Sequence, residues 1–175
     1  MTPVRTVPTA DLDAAERAAL RDLLDLAFDG GFADEDWDHA LGGLHLTVHE
    51  GGRPIAHAAV VQRRLLLDGR TLRCGYVEAV AVHPGHRRRG LGGAVMAAAE
   101  RVVDRAHHLG ALSASDDGLA LYRARGWRLW DGPTAVLAPS GVTLTPEDDG
   151  SVFTWGLSGG GSGPLVCDWR DGDVW

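Results

Sequence analysis

Three consecutive arginines and a glycine-rich continuation, Arg87-Arg88-Arg89-Gly90-Leu91-Gly92-Gly93, stand between the near-continuous apolar run Cys74 to Val82 and the alanine-rich, helix-patterned segment Gly90 to Ala106. A strand, a basic glycine turn and a helix in that order make an anion site. Backbone N–H groups at a helix N-terminus lack intrahelical partners and the helix dipole adds positive charge there, so a pyrophosphate is stabilised at that end. Gly90 and Gly92 allow close backbone approach, and the arginines can add charge-assisted bonds to phosphate oxygens. The expected ligand is a nucleotide-like cofactor. The chain contains no lysine, so the Gly-Lys-Ser/Thr ending of an ATP-binding loop is missing, and the Gly-x-Gly-x-x-Gly dinucleotide fingerprint is missing too. The competing reading is an exposed arginine cluster at an ordinary strand-to-helix turn.

Glu78 is the sole ionisable side chain between Tyr76 and Val82. In an apolar strand its charged form is disfavoured unless paired, which suits a general base. An ion pair with Arg73 or Arg63 fits the same position equally well. The eight histidines form no metal-binding pattern, since His107-His108 are adjacent and His45 and His49 fall in one strand, so none is assigned to a metal. Ser113 and Ser115 lack nucleophile-elbow glycines, and without lysine the protein cannot form a Schiff base. Direct transfer to a bound acceptor is the simplest chemistry.

The elements that must carry these groups follow from periodicity and turn residues. A strand at Val4 to Val7 leads to Thr9 or Asp11 as a helix cap, then a helix through Leu12, Leu20, Leu23, Leu24 and Phe28 that stops at Gly30-Gly31. A short helix at Asp34 to Leu41 ends at Gly42-Gly43, and strands at Leu44 to Glu50, Ile55 to Leu67 and Thr71 to Val82 are joined by turns at Gly51-Gly52 and Asp68-Gly69. The helix after the basic turn presents Leu91, Val95, Ala98, Val102 and Ala106 on one face and ends at Gly110. Ala111 to Ala114 reads as a strand, and Asp116 or Asp117 can cap a helix Gly118 to Arg125 terminated at Gly126. Trp127 to Trp130, Thr134 to Leu137 and Ser151 to Leu157 read as extended, Ser158 to Gly163 as a flexible glycine-serine segment, and Leu165 to Trp175 as an aromatic-acidic tail. The expected fold is mixed α/β, one domain over 1–175.

With 175 residues, 45% hydrophobic and 23% charged, the chain is long enough for one well-buried core, and no stretch approaches the ~20 apolar residues of a membrane span. Residues 1–8 lack the apolar core of a signal peptide. The two cysteines, Cys74 and Cys167, suggest inert thiols in a reducing cytoplasm. A net charge of −7 argues against nucleic acid. Acids gather instead at Asp29, Asp34, Glu35, Asp36 and Asp38, at Glu147, Asp148 and Asp149, and at Asp168, Asp171 and Asp173. Such clusters favour a cationic substrate, and they serve equally well as turn formers, caps and solubility charges.

Arg87-x-x-Gly90-x-Gly92 resembles the coenzyme A pyrophosphate loop of the GCN5-related N-acetyltransferases (GNAT), and the expected element order matches their fold. Leu121-Tyr122-Arg123-Ala124-Arg125-Gly126-Trp127 resembles that family's helix carrying tyrosine shortly before Gly-Trp or Gly-Phe. The resemblance implies a mostly antiparallel twisted sheet flanked by helices and splayed at the acetyl-CoA site. It implies Tyr122 as the acid that protonates the departing thiolate, although a tyrosine on a helix more often just packs its ring. It also implies a backbone donor from Val80 to the thioester oxygen.

Further blocks are similar to the aminoglycoside 2′-N-acetyltransferases over essentially the whole length. They are Asp36-Trp37, Leu41-Gly42-Gly43, Ile55 to Val60, Leu72 to Glu78, Leu109 to Ser113, Gly132-Pro133-Thr134, Cys167 to Arg170 and Gly172 to Trp175. This resemblance implies acetyl-CoA as co-substrate and a 2′-amino group as acceptor, with Glu78 as water-assisted base. Val80, Ala81 and Val82 would pair with the pantetheine arm, and Arg87, Arg88, Arg89, Gly90, Leu91, Gly92 and Gly93 would hold the pyrophosphate. Glu78, Asp36, Ser113, Asp148, Asp173 and Trp175 would face the drug. Where the family places an acid after the first helix this chain has Gly31, leaving Asp29 or Asp34 as substitutes. The family often forms dimers, so a homodimer is expected. Two alternatives remain: acetylation of another cationic amino sugar such as a cell-wall component, and a binding module without turnover.

Overall fold

Asp13 and Glu16 open the first helix reciprocally, in a computed structural model that describes residues 3–157 and 163–175. The Asp13 carboxylate accepts from the Glu16 N–H at 2.8 Å, and Glu16 accepts from the Asp13 N–H at 3.1 Å. This capping box displaces the start expected at Thr9 or Asp11, which lie instead in a 3₁₀ turn. The chain divides into two compact units, residues 1–61 with 77–101 and residues 62–76 with 102–175.

The first unit contains β1 (Arg5–Pro8), α1 (Ala14–Ala27), α2 (Asp34–Ala40), β2 (Leu44–Glu50), and most of β3 (Arg53–Leu67). It also holds the second half of β4 (Arg70–Val82) and the first part of α3 (Leu91–Ala106). β1 runs antiparallel to β2, and β2 antiparallel to β3 with Leu44 opposite Val60 and a bulge at Val48/His49. The apolar face of α1 packs Leu20 with Val7, Leu12 and Trp37, and Leu24 with Phe32 and Ala81. Phe28 lies outside that face, stacked on Phe32 with ring centroids 5.3 Å apart. α3 buries a wider arc than the expected stripe, taking in Met96, Ala99 and Glu100.

The second unit adds β5 (Leu109–Ser113), α4 (Leu119–Arg125), β6 (Arg128–Leu129), β7 (Thr134–Ala138), β8 (Gly141–Leu144), β9 (Val152–Trp155) and β10 (Leu165–Asp168). Its strand order is β6-β9-β5-β4-β3-β10-β7-β8. β4 pairs parallel with β5 only over Cys74–Tyr76 opposite Leu109–Ala111. β10 lies parallel to β7 and antiparallel to the end of β3, so much of the expected tail is a central strand. β8 was not expected either. Gly110 is a strand residue with Trp127 and Trp155 against it, and α3 ends at Ala106, whose carbonyl accepts from Arg73 Nε at 2.7 Å. The residues expected to cap α4, Asp116 and Asp117, form a 3₁₀ turn without a side-chain cap. The glycine-serine stretch Ser158 to Gly163 falls, apart from Gly163, outside the described residues. Among the described residues no helix is long and apolar enough to cross a membrane.

Candidate active site

In the first unit the candidate cofactor elements are the end of β4 and the turn into α3. β4 loses its regular burial at Glu78, Ala79 and Val80, three successive half-buried residues, before Ala81 returns to the core. Glu78 is therefore less enclosed than its apolar sequence neighbours suggested. Of the two arginines expected beside it, Arg63 Nε donates to Asp168 at 2.7 Å and Arg73 Nε to the Ala106 carbonyl at 2.7 Å. Ala79 has φ +51°, a left-handed conformation that costs an L-residue about 1–2 kcal/mol.

Past Val82, the His83 N–H donates to the Ile55 carbonyl at 2.9 Å and a 3₁₀ turn at Pro84–His86 leads to the arginines. Arg88 at φ +61° and Gly90 at φ +77° put left-handed residues into the turn, a backbone form that gathers N–H groups into an anion-binding concavity. Glycine takes this conformation freely, and α3 begins at the next residue. The arginines do not all converge on that concavity. Arg87 Nη2 donates to the Ala27 carbonyl at 3.0 Å and Arg89 Nη2 to Glu50 Oε1 at 3.2 Å, because the end of α1 and the β2–β3 hairpin offer acceptors nearby. His86 Nε2 also meets Glu50, at 2.8 Å, and this bond, ahead of Arg89, holds the Glu50 carboxyl below its usual range.

The first helices use their acids structurally. Asp36 Oδ2 accepts from the Ala33 N–H at 3.0 Å to close the start of α2, and Asp34 pairs with Arg21 at 2.8 Å. Both substitutes for an acid at Gly31 are exposed, and Asp29 lies outside this pair.

In the second unit Tyr122 is buried in α4, its ring tilted against Trp127 at 6.4 Å and Phe153 at 6.1 Å between centroids. Burial pushes its phenol up to about 12, so it is a protonated donor at neutral pH. Gly118 makes that packing possible, since a Cβ there would lie 2.7 Å from Tyr122 Cε2.

Ser113, exposed at the end of β5, meets Ser151 Oγ at 3.1 Å, and Ser151 in turn donates to the Asp148 carbonyl at 2.9 Å. The single Ser151 proton being used, Ser113 donates to Ser151 and keeps its lone pairs for a ligand. Asp148 sits half-buried at the end of a 3₁₀ turn. Its carboxyl is raised by burial first and by the charges of Glu147, Asp173 and Asp149 besides, against a lowering bond from Thr145. An ammonium group would relieve that crowding of negative charge.

The chain's end is tied to the same turn. Trp175 is buried and donates from Nε1 to Thr145 Oγ1 at 3.1 Å, Thr145 donates to Thr134 Oγ1 at 2.9 Å, and Thr134 reaches Asp149 Oδ1 at 2.8 Å. Asp149 is thus a structural acceptor, and Asp168 likewise, bound to the buried Arg63. Arg170 Nε holds the Asp173 carbonyl at 2.7 Å and Cys167 Sγ lies 3.3 Å from the Val174 carbonyl. Both cysteines are buried and outside any disulfide, and burial lifts the Cys167 thiol to about 11, which makes it a poor nucleophile. The threonine-tryptophan chain escaped sequence reading, because its bonded members are 11 to 30 residues apart.

A family model described as an acetyltransferase (GNAT) domain matches residues 10–130. The chain is 54% identical over 177 aligned residues, covering 98% of it and 91% of the relative, to an aminoglycoside 2′-N-acetyltransferase of Mycolicibacterium fortuitum. Among solved structures, the GNAT family N-acetyltransferase YhbS of Escherichia coli in complex with CoA superposes with a TM-score of 0.66 at 17% identity, covering 97% of this chain and 90% of that one. Eis1 of Mycobacterium abscessus gives 0.62 at 22% identity over 77% of this chain, which spans only 33% of Eis1. At these identities the two structures speak for the shared fold.

Proposed function

The chain belongs to the GNAT acetyltransferases, and from that premise we propose that it transfers the acetyl group of acetyl-CoA to the 2′-amino group of aminoglycosides. The observation that carries the substrate is the extent of the similarity. The family domain ends at residue 130, whereas the aminoglycoside-modifying relative matches 98% of the chain. That span takes in the acidic turn at Asp148 and most or all of the anchored tail.

The end of β4 supplies the contacts to the pantetheine arm through Val80, Ala81 and Val82. The left-handed turn and the start of α3, from Arg87 to Gly93, hold the pyrophosphate. Glu78 receives, through water, the proton of the acceptor's ammonium group, leaving a free amine to attack the thioester carbon. The Val80 N–H meets the negative charge that develops on the carbonyl oxygen. As the C–S bond breaks, Tyr122 gives its proton to the sulfur, so the products are the amide and the CoA thiol. Ser113, Asp148, Asp173 and Trp175 hold the drug's ammonium and hydroxyl groups, and Asp36, whose Oδ2 closes the start of α2, offers its other oxygen. A homodimer and a cytoplasmic setting belong to the same reading, supported by the family resemblance and the paucity of cysteine.

Thiol release from acetyl-CoA with a panel of aminoglycosides tests the reading. Release only with drugs bearing a 2′-amine is the expected result, and Glu78→Gln lowers turnover about 10²- to 10⁴-fold at neutral pH. Unchanged turnover removes Glu78 from the mechanism. The exposed Gly31 favours one variation, in which the acceptor is a smaller cationic amino sugar. Robust acetylation of amino sugars together with silence on the drug panel selects it.

A further inference from the structure

Two histidines with no exposed surface, His45 and His57, lie in adjacent strands of the first unit and take no part in the mechanism above. They belong to a continuous hydrogen-bonded chain. Thr9 Oγ1 meets His45 Nε2 at 2.7 Å, His45 Nδ1 meets His57 Nε2 at 2.9 Å, and His57 Nδ1 meets the Ala79 carbonyl at 2.8 Å. The direction of every bond is fixed by its last acceptor. A carbonyl can only accept, so His57 carries its proton on Nδ1. Burial holds both imidazoles neutral, at about 4 for His45 and about 3 for His57, and a neutral imidazole has one N–H. His57 Nε2 is therefore an acceptor, His45 donates from Nδ1, and Thr9 donates its hydroxyl to His45 Nε2. All three protons point toward β4.

We propose that Thr9, His45 and His57 are positioning residues that hold Ala79 left-handed and thereby set Glu78 and Val80 for acetyl transfer. The inference rests on the roles given to those two residues above. A left-handed, non-glycine residue inside a strand persists only where its surroundings over-determine it. Ala79 is held by a bond from outside the strand ladder, at the position where the burial pattern of β4 lapses over Glu78, Ala79 and Val80. Two buried imidazoles are a costly way to fill a core that leucines would fill without polar atoms, so the bond they deliver is their distinguishing feature.

Variants at both ends of the last bond test this. With the bond removed, His57→Leu lowers kcat about 10- to 100-fold, while KM for the aminoglycoside changes less than about threefold. His57→Asn, whose amide N–H can stand where Nδ1–H stands, keeps kcat within about threefold of the parent. The decisive variant is Ala79→Gly placed in the His57→Leu background. Glycine adopts φ +51° without strain, so it recovers about fivefold or more of the lost kcat. Thermal melts on all variants separate unfolding from misplacement. An unaltered kcat in His57→Leu overturns the proposal, and so does a loss that neither asparagine nor Ala79→Gly repairs. If the wild-type chain acetylates no aminoglycoside, the same variants are read by calorimetric titration of acetyl-CoA. A weakening of about tenfold by His57→Leu, reversed by Ala79→Gly, then sustains the inference while the substrate reading falls. Unchanged acetyl-CoA affinity in His57→Leu sinks the inference as well.

Discussion

In the first unit the residues assigned to acetyl-CoA lie in one stretch of chain, from Val80 to Gly93, whereas in the second those assigned to the cationic acceptor come from β5, the turn at Asp148 and residues 173–175. The former are backbone features: a left-handed Ala79, a left-handed turn at Arg88 and Gly90, and the start of a helix. The latter are side chains, gathered by the pairing of β5 with β9 and by the bond from Trp175 to Thr145. A nucleotide's phosphates are the same in every reaction that uses it and can be met by a fixed loop. An acceptor's charges differ between substrates, and a constellation of separate side chains can be altered one residue at a time. Burial acts alike in both units, raising the acids Tyr122 and Asp148 and lowering the bases His45, His57 and His107.

The largest test of this contrast is Tyr122→Phe. Removing the only proton donor assigned to the thiolate reduces kcat about 10²-fold and leaves acetyl-CoA affinity unaltered, as measured by steady-state kinetics and titration. Equal losses in both would assign Tyr122 to packing. Next, Asp148→Asn combined with Asp173→Asn raises KM for the aminoglycoside about tenfold without moving KM for acetyl-CoA. A shift in the acetyl-CoA value instead would erase the division of labour.

Gly118→Ala forces a methyl group to within 2.7 Å of the Tyr122 ring and costs about 1–3 kcal/mol of stability, visible as a lower Tm with kcat falling alongside. The last contrast is in the pH profile of stability. His45 and His57 titrate near 4 and 3 in the folded chain against an ordinary 6.5, so the unfolded chain takes up protons first. Stability is full above about 6.5 and declines as pH falls toward about 3. Asp148 has the opposite sign: its raised carboxyl contributes most at low pH, and the contribution is lost as pH rises through the folded value. Asp148→Asn therefore raises Tm slightly at neutral pH while weakening drug binding, and a lower Tm would contradict the crowding of charge.

Local sequence made the strands β2 to β4, α3 and the basic turn legible, because alternation, helical spacing and glycine turns act over a few residues. The turn at Asp68-Gly69 shows this directly, with both residues at positive φ, 48° and 73°. Other features were hidden. β10 reads as tail because its partner β7 lies about thirty residues earlier in sequence and no local pattern announces a parallel pairing. Gly110 reads as a helix stop because glycine serves both turns and close packing, and only the neighbouring Trp127 tells which. The acids at Asp34, Asp149 and Asp168 look like a substrate's counter-charges until their bonds to Arg21, Thr134 and Arg63 are seen.

By itself the sequence determined which segments are strand or helix and where the basic glycine turn lies, since these depend on the steric and hydrogen-bonding preferences of adjacent residues. Which carboxylates are left for a ligand, where the imidazole protons point and why Ala79 tolerates a left-handed backbone were decided by the tertiary structure alone. Desolvation and hydrogen-bond partners come from residues distant in the chain, and a side chain's chemistry changes with them.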